Sequence, residues 1–209
     1  MSHLHSKLAG RVAAVGLLLA LIGCASVDTM RGSQIPADLP MIADASDRDV
    51  MTWRANDQAL PPRYVLNPIA WSGDTLRRTN AKDRAQLERS LGSAIQTAMT
   101  GYERSATAAA GVAVVRVSVE AIDKSSPAAN AALSLLVGPV DTGGASVSIR
   151  IDDGANGGPL AALATSYNGK VISTKGFKRW GHAEQAFERT AKRLSALLAD
   201  AGASASDMR

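Results

Sequence analysis

The chain has 209 residues, enough for one domain of ordinary size with extensions and too few for two large ones. Hydrophobic residues at 46% and charged residues at 20% support a packed core and exclude global disorder, while aromatics at 4% leave little on which single-stranded nucleic acid can stack. The net charge of +4 is dispersed, with its densest spots at Arg77-Arg78 and between Lys175 and Arg179, so no basic stripe suggests a nucleic-acid partner.

The first 23 residues carry only Lys7 and Arg11 as charges, followed by the apolar run from Val12 to Ile22. A membrane span needs about 20 apolar residues and a secretory signal core about 7 to 15, so this run fits a signal peptide. It ends in Leu21-Ile22-Gly23-Cys24. That tetrapeptide resembles the lipobox of bacterial lipoproteins. The resemblance implies cleavage between Gly23 and Cys24, a diacylglycerol in thioether linkage on the Cys24 sulfur, and an acyl chain such as palmitate on the new amino group. Cys24 is the only cysteine, so it has no disulfide partner in the chain. Ala25, where aspartate would favour inner-membrane retention in enteric lipoproteins, points to the outer membrane of a Gram-negative cell, facing the periplasm. Loss of residues 1–23 lowers the charge balance to 21 basic against 19 acidic residues.

Residues 24–62 show no sustained period and carry Pro36, Pro40, Pro61 and Pro62. They are expected to be a lipidated terminus and flexible tether with a reach of about 35 Å, unless Met51 and Trp53 draw part of the segment onto the domain. The domain is expected over 63–201, with a disordered tail at 202–209. Tyr64 to Trp71 is rich in β-branched and aromatic residues, and Pro68 makes it an edge or bulged strand. Asn80 with Asp83 caps a helix whose apolar face is Leu87, Leu91, Ala94, Ile95, Ala98, Met99 and Tyr102.

Val115, Val117, Val119 and Ala121 alternate with polar residues, as do Ala145, Val147, Ile149 and Ile151, which predicts two half-buried strands. Leu160 to Tyr167 reads as the returning strand after a Gly-rich loop, and Asn168-Gly169 predicts a hairpin into Lys170–Thr174. A last helix places Ala183, Phe187, Ala191, Leu194, Leu197 and Leu198 on one face and ends before Gly202. The expected fold is α/β (α+β): a mixed sheet of four to five strands with two helices on one face, in the order strand-helix-strand-strand-strand-helix.

Several stretches together resemble DUF3313, a bacterial lipoprotein family of unknown function. They are Tyr64 to Trp71, Val119 to Asp123 before Ser126-Pro127, Ile151-Asp152-Asp153 with its turn, and Trp180-Gly181-His182-Ala183. The resemblance implies a compartment and a fold, and no activity.

Chemistry is sparse. His182 is the only histidine after the signal, so histidine cannot build a metal site, and at a helix start its expected role is capping or surface display. Asp152-Asp153 before a Gly-rich turn are expected to make turn hydrogen bonds rather than act as acid and base. Gly143-Gly144 and Gly154, Gly157 and Gly158 lack the lysine and strand-to-helix setting of a phosphate cradle. The uncharged stretch Pro127–Val140, with Leu133, Leu135, Leu136 and Val137, is either a short helix over the sheet or a partner-binding segment. No catalytic residue, metal or cofactor beyond the lipid on Cys24 is expected. The expected role is a non-enzymatic binding or accessory component with membrane lipid and envelope proteins as partners. The alternatives are a carboxylate-dependent enzyme on an envelope polymer, or a binder of a small lipid or glycan.

Overall fold

Alternating apolar residues in three long strands set the centre of the molecule. The computed structural model describes residues 32–55, 58–124, 143–168 and 178–206. Gly23, Cys24, the stretch Pro127–Val140 with Leu133, Leu135, Leu136 and Val137, and the hairpin partner Lys170–Thr174 lie outside the described residues.

In chain order the elements are β1 (Ile42–Asp44), β2 (Asp47–Arg54), β3 (Arg63–Leu66), β4 (Ala70–Trp71), α1 (Gly73–Arg78), α2 (Ala81–Ala98), β5 (Glu103–Arg104), β6 (Val112–Asp123), β7 (Gly144–Asp153), β8 (Pro159–Asn168) and α3 (Gly181–Ser206). The fold is α+β with a mixed eight-stranded sheet, ordered β1-β2-β8-β7-β6-β3-β5, with β4 also paired to β6. β6, β7 and β8 are antiparallel neighbours, whereas β3 and β4 run parallel to β6.

Eight strands replace the four to five expected, and a short third helix precedes the two expected. The main cause is the segment expected as a tether: β1 and β2 form a hairpin that pairs with β8 from Val50↔Thr165 to Arg54↔Ala161. β2 escapes an alternation test because both its faces are covered, Val50 joining the helix-side core and Met51 the opposite side. α1 is only six residues long, shorter than the window in which a helical period shows, and it is capped by Ser72, whose side chain accepts from the Thr75 N–H.

The Tyr64–Trp71 strand is bulged around Pro68, as expected. Arg63 pairs with Val112 and Ala70 with Ser118, so one extra residue is accommodated between the two short strands. A second bulge lies in β6, where the register shifts between Val119 and Ala121. It turns Ala121 outward, against its expected inward place, and puts Ile122 into the core at 1% exposure.

α2 and α3 lie on one face of the sheet, and both start at the same end. Gln86 Nε2 donates to Glu184 Oε1 at 3.1 Å, and Arg179 pairs with Asp83 at 3.2 Å. Asn80 caps α2 as expected, its Oδ1 accepting from the Asp83 N–H at 2.8 Å. Leu87, Leu91 and Ile95 of α2 and Phe187 and Leu194 of α3 close over Val115, Val117, Val147, Ile149 and Leu163. Each such large side chain contributes about 1.5–3 kcal/mol by leaving water. α3 continues through Gly202 to Ser206, into the expected tail. The neighbouring Ala201, Ala203 and Ala205 are strong helix formers and offset the cost of glycine, about 1 kcal/mol.

Candidate functional site

The sheet's outer face, away from the helices, carries Arg116, Ser118, Glu120, Ser148, Arg150 and Asp152, and a strap formed by residues 32–41 crosses it. Ile35 and Leu39 of the strap pack with Met51, Ala162 and Ala164, whose small β8 side chains leave room for it. Glu120 Oε1 accepts from the Ser33 N–H at 3.1 Å and from Ser148 Oγ at 2.8 Å, and Arg150 Nη1 donates to Gln34 O at 3.0 Å. Gly32 has φ +69, and a Cβ there would lie 2.5 Å from Glu120 Oε1. The strap can start only at a glycine.

Asp152 is on this face at 1% exposure, with Arg116 Nε 2.7 Å from Oδ2 and Arg150 Nε 2.8 Å from Oδ1. The expected turn role therefore belongs to Asp153 alone, whose Oδ1 accepts from the Ala155 N–H at 2.9 Å. Asp152 is instead locked between two guanidinium groups. Gly154 is required by backbone approach, since a Cβ would lie 2.4 Å from Val112 O, and Gly157 adopts φ +72 in the same turn. These glycines shape a hairpin rather than a phosphate cradle.

His182 is fully buried at the start of α3, which rules out surface display, one of its two expected roles. Trp180, Ala183 and Ala186, its neighbours in sequence, are buried as well, which a helix-start position does not reveal.

A second charged cluster ties the β1–β2 hairpin to α3. Arg193 donates to Asp44 Oδ2 at 3.2 Å and to Asp47 Oδ2 at 2.9 Å, and Arg189 also pairs with Asp47. Burial pushes the Asp47 carboxyl upward, but its bonds from Arg189 and Arg193 outweigh that and hold it below the usual carboxylate range. Asp44 is also lowered, chiefly by the Ser46 hydroxyl and N–H. Among the described residues, no group of three or more histidine, cysteine, aspartate or glutamate side chains is placed to hold a metal.

Two of the hollows among the described residues lie beside apolar side chains. A groove of about 410 Å³ between α2 and α3 is lined by Ala94, Thr97, Ala98, Ala191, Lys192 and Ser195. The second is a cleft at the β3–β4 edge, where two adjoining hollows of about 390 and 340 Å³ meet at Leu66 and Arg104. Pro68, Ile69, Glu88 and Gly92 complete it. β5 covers only Arg63 and Tyr64 of this edge. Ser105 N–H donates to Tyr64 O at 2.7 Å on the outer side, and Asn67 N–H donates to Val115 O at 3.0 Å on the inner side. By strand alternation, the Leu66 backbone amide and carbonyl therefore face the open edge. Nothing in the sequence marked this cleft, because it depends on β5 ending after two residues.

The family described as "Protein of unknown function (DUF3313)" matches residues 41–194. The chain belongs to this family. The DUF3313 match starts within the strap and includes both β1 and β2, in agreement with their place in the sheet. No curated protein matches this DUF3313 chain. Among solved structures, it is similar to the PelC dodecamer from Paraburkholderia phytofirmans at 15% identity and a TM-score of 0.45, covering 70% of this chain and 96% of that one. It is also similar to the hypothetical protein CT253 from Chlamydia trachomatis at 11% identity and a TM-score of 0.37, covering 66% of this chain and 93% of that one.

Proposed function

We propose that this DUF3313 protein is a lipid-anchored, periplasm-facing component of the outer membrane that acts by binding other envelope components rather than by turnover. The anchor half of this reading rests on the sequence Leu21-Ile22-Gly23-Cys24 after the apolar run, with two acyl chains on Cys24 sufficient for stable attachment. Among the described residues no helix is long and apolar enough to cross a membrane, so attachment through Cys24 does not compete with a described helical span.

The binding half rests on one observation: the β3–β4 edge leaves backbone hydrogen-bonding groups at Leu66 open beside an apolar wall and Arg104. An extended segment of a partner protein can add to such an edge, with main-chain bonds supplying affinity and the Leu66–Ile69 wall receiving its side chains. A carboxylate-dependent enzyme would need an ionisable pair facing open space. Asp152 is instead buried against Arg116 and Arg150, and Asp47 against Arg189 and Arg193. Leu133, Leu135, Leu136 and Val137 are a second proposed contact, on their apolar character.

A photo-crosslinking residue placed at Ile69 in intact cells tests the edge. The expected result is one discrete protein adduct that a proline at Leu66 abolishes, since proline removes the open amide. An unchanged adduct in that variant, or none at Ile69, contradicts binding at this edge.

A further inference from the structure

We propose that one end of the sheet, where β6 and β8 finish and β7 begins, lies against the lipid headgroups of the bilayer that holds Cys24. This deepens the anchored reading above and rests on it. The first observation is chain length. Gly32 is the eighth residue after Cys24, and eight residues span at most about 29 Å. The strap is fixed from that point, with Ser33 bonded to Glu120. An anchor on a chain tethered as far as residue 62 would leave the domain free to turn. An anchor eight residues before a docked strap narrows that freedom and keeps the end from which the strap starts nearest the bilayer.

The second observation is direction. Glu120 is three residues from the end of β6, and the strap then runs toward Arg150, away from that end. The chain leading back to Cys24 therefore leaves from the Asp123 end of the sheet, where Asp123 pairs with Gly144 and Gly144 with Asn168.

The third observation is chemistry. α1 packs on this same end, Ser72 Oγ donating to Glu120 O at 2.7 Å and Thr75 Oγ1 to Val119 O at 3.3 Å. It presents Leu76, 44% exposed and one of two large apolar residues so exposed among the described residues. Exposed Arg77, Arg78, Lys82, Lys124, Lys178 and Arg179 belong to the same end: Arg78 pairs with Asp123, and Lys124 and Arg179 lie 5.8 and 5.5 Å from the centroid of the Trp180 ring. Asp74, Asp123 and Asp83 pair with Arg77, Arg78 and Arg179 respectively, and Glu184 receives Gln86. Lys82, Arg84, Lys124 and Lys178 stand there against Glu88, Glu120 and Glu184, and the positive ends of α2 and α3 point the same way. An exposed apolar side chain at an end of the sheet rich in basic groups matches the boundary between acyl chains and anionic headgroups.

The acylated full-length chain in phosphatidylcholine–phosphatidylglycerol vesicles tests this. An environment-sensitive fluorophore is attached at Leu76→Cys and, separately, at Thr107→Cys near the opposite end, with doxyl-labelled lipid as quencher. The expected result is quenching at position 76 and none at position 107, with Lys178→Cys behaving like position 76. Reversing Lys82, Lys124 and Lys178 to glutamate is expected to reduce the quenching while the chain stays on the vesicles. Equal quenching at the two ends, or none at position 76, overturns the orientation. The number of fluorophores reports the anchor separately: a thioether on Cys24 leaves one reactive thiol, whereas two labels per chain show a free Cys24 and overturn the anchor and the orientation together.

Discussion

The two faces of the sheet are closed by different physics. On the helix side, α2 and α3 bring Leu87, Leu91, Ile95, Phe187 and Leu194 onto an apolar sheet surface with few polar interruptions, such as Thr165 Oγ1 lying 2.7 Å from Thr190 Oγ1. On the other side a short aperiodic strap is held by a handful of apolar contacts and by Glu120, Arg150 and a glycine with positive φ. The first face supplies stability. The second fixes where the N-terminal chain leaves the domain, and so limits the distance from the domain to the anchor proposed at Cys24.

Breaking each face in turn sharpens this contrast. The largest effect is expected from Phe187→Ala, at about 3–5 kcal/mol of lost stability in denaturant unfolding, because the cavity opens where sheet and helices meet. Asp152→Ala comes next, at about 2–3 kcal/mol: it leaves Arg116 and Arg150 facing one another, though their partial exposure of 39% and 22% lets water relieve part of the repulsion. Gly32→Ala is expected to cost about 1–2 kcal/mol, confined to the strap, since an alanine resists the left-handed conformation and its Cβ meets Glu120 and Ser148. Hydrogen exchange should show the strap amides losing protection while β6 and β7 keep theirs; a global loss would contradict the separation of the two faces.

The smallest effect is pH-dependent. Asp47 and Asp44 titrate lower in the folded protein than their ordinary value of 3.8. Their contribution is therefore complete above that value and fades as pH falls through the lower folded values. Unfolding midpoints are expected to be level near neutrality and to drop below about pH 4, and Arg189→Gln with Arg193→Gln should flatten the drop.

How much was legible in the sequence follows the same division. The central strands and the helices show a period because each sets apolar side chains on the helix-side core against polar ones on its other side, buried or not, so Val115, Val117, Ile149, Leu87 and Phe187 are found by spacing alone. β2 has two covered faces, β1 and β5 are three and two residues long, and the strap has no repeat, so none carries a period. The bulge that swaps Ala121 for Ile122 follows from pairing with β7, which no local pattern encodes. Of the candidate sites, the resemblance of Leu21-Ile22-Gly23-Cys24 to a lipobox is wholly a matter of sequence. The β3–β4 cleft is wholly a matter of topology. The paired role of Asp152 needed Arg116, 36 residues away, to be seen across the ladder.

The most direct test of the account is the mass of the mature N-terminus, taken from the native membrane. The expected chain begins at Cys24 and carries a thioether-linked diacylglycerol and an N-acyl chain. An unmodified Cys24, or a chain that retains residues 1–23, would contradict the lipid anchor.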